Sequence, residues 1–212
     1  MHMAVWAIRE SGVKIALFVT CLLPFFWLLT DTFLGRLGGN PIETLHFRTG
    51  DWTLRFLCLT LALRPARVLT GQIWIMRLRR MIGLFTFFYA TLHMLVYVLL
   101  DQSFSWAQIR DEIPETPYVI VGMLAYLLLL PLALTSTKKM QRRLGRNWKK
   151  LHSLIYGAAL LAPWHYFWLV KKDYCEPLFY ATLIVLLLGF RVAQARRKRL
   201  RIRNSAQLLG DG

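Results

Sequence analysis

The stretch Met81-Ile-Gly-Leu-Phe-Thr-Phe-Phe-Tyr-Ala-Thr-Leu-His-Met-Leu-Val-Tyr-Val-Leu-Leu100 runs for twenty residues without a Lys, Arg, Asp or Glu. About 20 predominantly apolar residues are what an α-helix needs to cross about 30 Å of hydrocarbon. Inside such a solvent every backbone polar group must be satisfied within the segment, so the run predicts a membrane-spanning helix and excludes an open strand. Its one imidazole, His93, lies near the middle.

Five more runs of this kind flank it. Candidate spans lie near 15–30, 52–69, 81–100, 117–134, 152–170 and 177–192, with a basic tail at 193–212. The expected fold is therefore an all-α integral membrane protein, a six-helix bundle forming one domain over 1–212. The first run lacks a small-residue cleavage site and is followed by further spans, so it does not read as a signal peptide. The composition agrees: 56% of residues are hydrophobic, 18% are charged and the mean hydropathy is +0.42. Soluble domains carry about 25% charged residues.

The net charge of +16 could suggest a nucleic-acid partner, but its distribution argues otherwise. Segments 1–14, 64–80, 136–150 and 191–212 hold 21 of the 27 Lys and Arg and only two acidic residues, Glu10 and Asp211. The alternate loops hold the other six and nine acidic residues. Basic loops mark the cytoplasmic side, so both termini are expected there. A nucleic-acid reader would interleave basic residues with a soluble module, and none is present. The cluster Arg196, Arg197, Lys198, Arg199, Arg201 and Arg203 reads first as an anchor to anionic membrane lipid. Three widely spaced cysteines, Cys21, Cys58 and Cys175, form no disulfide framework, zinc ribbon or CxxC centre.

Histidines carry the functional signal. His2, in the tail, and His46, in the first outer loop, read as solvent-accessible. His93, His152 and His165 fall in spans, where ionisable side chains are costly and face the bundle interior. Counting from Arg80 and Lys150, His93 is 13 residues deep and His165 is 15, which at about 1.5 Å per residue differ in height by about 3 Å. Two helices running the same way could grip a flat ligand between these imidazoles, which are common iron ligands. Interhelical hydrogen bonding and a proton path are the other readings. His152 lies about 20 Å nearer the inner side. On an ideal helix it would not share a face with His165, although Pro163 could kink the segment. Small residues (Gly83, Ala90, Gly157, Ala158, Ala159, Ala162) and aromatics (Phe85, Phe87, Phe88, Tyr89, Trp164, Tyr166, Phe167, Trp168) suit a macrocycle, helix packing or a lipid-facing belt.

The stretches Arg77-Leu-Arg-Arg-Met-Ile-Gly83, Tyr89-Ala-Thr-Leu-His93, Leu134-Thr-Ser-Thr137, Arg143-Leu-Gly145, Trp148-Lys-Lys-Leu-His152 and Trp164-His165-Tyr166 resemble the MsrQ (YedZ) family. That family is similar to the ferric-reductase and NADPH-oxidase membrane domain, a six-helix haem b protein. The resemblance implies an electron-transfer subunit in the bacterial inner membrane rather than a catalytic one. It would deliver electrons to the periplasmic molybdopterin methionine sulfoxide reductase MsrP, for repair of oxidised envelope proteins. The quinone pool or a cytosolic flavin reductase would be its donor, and FMN a further cofactor. By position, His93 and His165 match an outer haem pair and His152 one ligand of an inner site. The residues expected opposite His152 are Arg79 and Arg80, so one haem is expected and a second stays open.

No GxGxxG follows a strand, so electrons are expected to enter from a separate donor. The inner arginines Arg77, Arg79, Arg80, Arg142, Arg143 and Arg146 are candidates for FMN phosphate, haem propionates or an acidic reductase. Asp101, Asp111, Glu112 and Glu115 are candidates for docking at the outer face. A histidine-based proton or metal transporter without haem is the alternative, and a membrane metalloenzyme is weaker still, because HExxH is absent.

Overall fold

The computed structural model describes residues 2–112, 114–170 and 173–210, with side chains of 2–11, 112, 201 and 205–210 outside that description. His2, Glu112 and Arg201 are thus described in backbone only, and Asp211 lies outside the described residues. The order is α1 (His2–Phe33), α2 (Pro41–Thr70), α3 (Ile75–Leu95), which passes into a π-helical turn at Val96–Asp101, α4 (Trp106–Glu112), α5 (Pro117–Leu134), α6 (Lys138–Leu144), α7 (Arg146–Leu151), α8 (Leu154–Leu169) and α9 (Cys175–Gly210). Among the described residues there is no strand.

Helices α1, α2, α3, α5, α8 and α9 occupy the places of the six expected spans. Four stretches are both long and apolar enough to cross a membrane: Gly12–Phe33, Ile75–Asp101, Pro117–Leu134 and Cys175–Asn204. The other two differ for separate reasons. Helix α8 has only 16 residues, because the chain breaks at His152 and Ser153. Helix α2 is 30 residues long but carries Glu43, Arg48, Asp51, Arg55, Arg64 and Arg67.

Local chemistry sets the ends that matter. Helix α2 starts eleven residues before the expected span: the Asn40 side chain accepts from the Glu43 N–H at 3.3 Å, and Pro41 takes the first turn, where no donor is needed. It stops at Gly71, whose φ of 70° permits the left-handed cap. The expected tail at 193–210 continues α9 as helix.

Helices α2 and α3 pack as one pair and α5 and α8 as another; α3 meets α5, and α9 packs against α2 and α8. One apolar core joins Leu54, Leu57 and Leu61 of α2 to Ala90, Leu129, Ile155, Ala158, Ala159 and Ile184. A second sets Cys21 of α1 against Phe56, Ile82, Phe85 and Tyr89. Fully buried Tyr89 donates its hydroxyl to the Cys21 carbonyl at 2.8 Å. Large apolar side chains cover the outside, among them Phe18, Phe26, Leu124, Leu127, Phe179 and Leu186. The bundle thus has an apolar exterior around two cores that hold α3 along its length and α8 by its first turns.

Candidate functional site

The π-helical turn ending α3 and the short α8 leave a cavity of about 940 Å³ between α2, α3, α5 and α8. His93 and His165 meet within it, with ring centroids 6.1 Å apart and ring planes at 77°. Each Nδ1 is held by a backbone carbonyl: His93 by His46 at 3.1 Å and His165 by Tyr118 at 2.7 Å. The carbonyls accept, so Nδ1 carries the proton and Nε2 presents its lone pair. Fixing the tautomer and the ring plane in this way is the usual support of a metal-ligating histidine.

The spacing itself tests the fit. Two metal–nitrogen bonds of about 2 Å, plus about 1 Å from each nitrogen to its ring centre, separate two trans imidazoles by about 6 Å. The observed spacing matches. Zinc sites take three or four protein ligands, and no group of three or more His, Cys, Asp and Glu suited to a metal ion occurs among the described residues. Two neighbouring imidazoles lining one cavity are a donor set that could hold the metal of a planar macrocycle.

The comparisons with known proteins bear on the same region. The model of the ferric reductase like transmembrane component matches residues 49–163. A protein of Xanthomonas campestris pv. campestris (strain B100), named protein-methionine-sulfoxide reductase heme-binding subunit MsrQ, is 45% identical over 211 residues, covering 96% of this chain and 97% of its own. The MsrQ subunit of Rhodospirillum rubrum is 49% identical over 192 residues, 90% and 92% of the two chains. The chain belongs to the MsrQ family. No solved structure matches it.

In this member of the MsrQ family several residues at the site carry no sequence signal of their own. His46 is one, and here the expectation of a solvent-accessible loop residue is corrected. Because α2 begins at Pro41, His46 is helical and half-buried, lines the cavity and meets the His93 ring edge-on at 5.4 Å. Its Nε2 lies 3.9 Å from Asp101. Thr49, one turn before Thr53 on the same helix, puts Oγ1 3.2 Å from His93 Nδ1 while donating its own proton to the Leu45 carbonyl at 2.6 Å.

Two glycines back the rings. A Cβ on Gly122 would stand 2.9 Å from both Cε1 and Nδ1 of His165, and one on Gly50 would stand 3.4 Å from His93 Cε1. The small residues expected to admit a flat group serve differently. Gly83 faces Thr60 and Gly157 faces Leu128, while Ala158 and Ala159 belong to the core and Ala162 packs against it. Of that set only Ala90 lines the cavity.

The aromatics divide in the same way. Phe85 stacks on Phe56, Phe87 on Tyr126, and Phe88 meets Phe25, whereas Trp164, Phe167 and Trp168 are exposed. Tyr166 alone of the eight lines the cavity, donating to Glu176 Oε2 at 2.7 Å. Glu43, Asp51, Asp101, Asp173 and Glu176 make the mouth acidic.

His152 stays apart from the pair. It ends α7, outside α8, so its ring direction is set by a chain break and not by the face of a continuous helix; Pro163 lies buried inside α8. The ring stacks on Trp148 at 4.0 Å, and Nε2 is 3.2 Å from Thr135 Oγ1. Arg79 lies within electrostatic reach of it. Among the expected inner arginines Arg79 is half-buried, and Arg77, Arg80, Arg142, Arg143 and Arg146 are exposed.

Proposed function

We propose that this chain is a haem b electron-transfer subunit of a methionine sulfoxide reductase system, with His93 and His165 as axial ligands. The observation that carries the reading is the 6.1 Å edge-on approach of two imidazoles whose Nδ1 atoms are both held by carbonyls. Haem held there by His93 and His165 would supply one-electron redox chemistry. The chain's own residues do the rest. His46 and Tyr118 carbonyls orient the rings, Thr49 adds a second acceptor to His93, and Gly50 and Gly122 leave the rings room.

The reading extends to one transmembrane domain over 1–212 with six spans and cytoplasmic termini in the bacterial inner membrane. The segregation of Lys and Arg supports that topology. Electrons would come from the quinone pool or a cytosolic flavin reductase and pass to periplasmic MsrP, with the acidic mouth at Asp101 and Glu176 nearest the acceptor. FMN would bind among the inner basic residues. A second haem at His152 would require Nε2 to leave Thr135, so one haem is proposed.

The names of the relatives support the haem and the sulfoxide reductase assignment. Of the alternative, a proton or metal transporter without haem, the metal form would need a third clustered ligand, and none occurs among the described residues. Absorption spectra of the purified full chain test the proposal. A Soret band that shifts on dithionite, and reoxidation by MsrP with methionine sulfoxide, are the expected results; a colourless preparation that takes up no haem overturns it.

A further inference from the structure

Arg191 of α9 is only 5% exposed, yet among the described residues it pairs with no carboxylate. One of its terminal nitrogens donates to the Tyr156 hydroxyl at 2.8 Å, while its Nε is buried without a hydrogen-bond partner. Half-buried Arg79 of α3 lies within electrostatic reach of Arg191, Arg64 and Tyr156. Buried Arg191 and half-buried Arg79 thus carry like charges within electrostatic reach of each other.

No carboxylate is bonded to either of them among the described residues. Segments 52–100, 116–172 and 177–210 contain no Asp or Glu. A buried charge left uncompensated is strongly unfavourable, and long basic side chains normally escape by reaching the lipid headgroups. Arg191 does not take that route, since its guanidinium is packed over the Tyr156 ring at 5.4 Å. Topology explains exposed arginines such as Arg77 and Arg80, but it does not explain a covered one.

We propose that Arg191 and Arg79, with the Tyr156 hydroxyl, bind the oxyanion of a phosphate-bearing ligand, at the end of the bundle opposite the His93–His165 cavity. A guanidinium's planar donor set matches phosphate oxygens in a bidentate fashion. Two sources carry the group: the headgroup of an anionic phospholipid and the phosphate of a flavin nucleotide. The site stands on Arg191 and Arg79 alone and is independent of the histidine pair.

The full-length protein in neutral detergent is titrated with paired probes while its unfolding temperature is followed. Short-chain phosphatidylglycerol is compared with phosphatidylcholine of equal chain length, and FMN with riboflavin. The anionic member of at least one pair raises the unfolding temperature more than its partner. Arg191→Gln and Arg79→Gln each weaken the apparent affinity about tenfold or more, and Arg191→Lys, which keeps the charge and the fold, falls between. A response to phosphatidylglycerol identifies a lipid, and one to FMN a cofactor. The proposal is overturned if neither anionic probe outperforms its neutral partner, or if the response persists in Arg191→Gln and Arg79→Gln.

Discussion

Gly122→Ala is the sharpest perturbation of the imidazole pair that leaves both histidines in place. The added methyl carbon stands 2.9 Å from Cε1 and Nδ1 of His165 and 3.3 Å from Cγ. Ordinary carbon contacts lie at about 3.5–4.0 Å, so the ring must retreat by about 0.6 Å or more. It cannot slide toward its acceptor, because Nδ1 is already 2.7 Å from the Tyr118 carbonyl. Tyr118 and Gly122 are successive turns of α5, so carbonyl and methyl press on the ring together. Tilting the ring re-aims Nε2 toward or away from His93. Such overpacking costs about 1–3 kcal/mol, in line with the 10–100-fold loss of metal affinity typical of disturbed supporting groups (about 10–100-fold).

Titration of haem into the apo-protein, read at the Soret band, gives that affinity. Gly50→Ala, meeting His93 Cε1 at 3.4 Å, is expected to lose less, and Gly83→Ala, whose nearest neighbour is Thr60 Cγ2 at 3.8 Å, nothing. Helix propensity favours alanine by about 1 kcal/mol at all three positions, which offsets only part of the overpacking at Gly122, so Gly83→Ala is expected to be the more stable of the two variants. Equal haem affinity in Gly122→Ala and Gly83→Ala would refute the reasoning.

Thr49→Val removes the second acceptor near His93 Nδ1 and leaves the His46 carbonyl. Loss of about 1 kcal/mol of support for the more electron-rich ligand raises the reduction potential by about 40 mV, measured by spectroelectrochemical titration. His152→Ala leaves the Soret band of the outer pair in place, because His152 is bonded to Thr135 and stacked on Trp148; haem content by pyridine haemochrome checks this. Tyr89→Phe removes the buried hydroxyl's bond to the Cys21 carbonyl and lowers stability by about 0.5–1.5 kcal/mol, read from thermal unfolding of the detergent-solubilised protein.

Much of this site is written in one-dimensional spacing. That His93 and His165 meet is anticipated by counting from Arg80 and Lys150, which puts their heights within about 3 Å, because rise per residue is nearly constant in a helix. His46 is hidden by a different physics. The start of α2 carries Glu43, Arg48 and Asp51, which reads as a loop by hydropathy, yet Asn40 and Pro41 cap it into helix.

A capping signal was there to be read, and it outweighs hydropathy for a helix end at an interface. Gly122 carries no such mark: a glycine in an apolar run signals close approach without saying to what. The break at His152 is equally silent, since Pro163 is the residue that sequence logic expects to disturb α8 and it sits buried within an intact helix. Arg191 reads as one more basic residue of the tail, and only packing distinguishes it from Arg196 or Arg199.

Haem content of His93→Ala and His165→Ala, each with retained helicity by circular dichroism, tests the central claim most directly. Each substitution alone is expected to abolish the haem held between α3 and α8, since one remaining imidazole cannot span a pocket built for two. Wild-type haem content with an unshifted Soret band in either variant would contradict it.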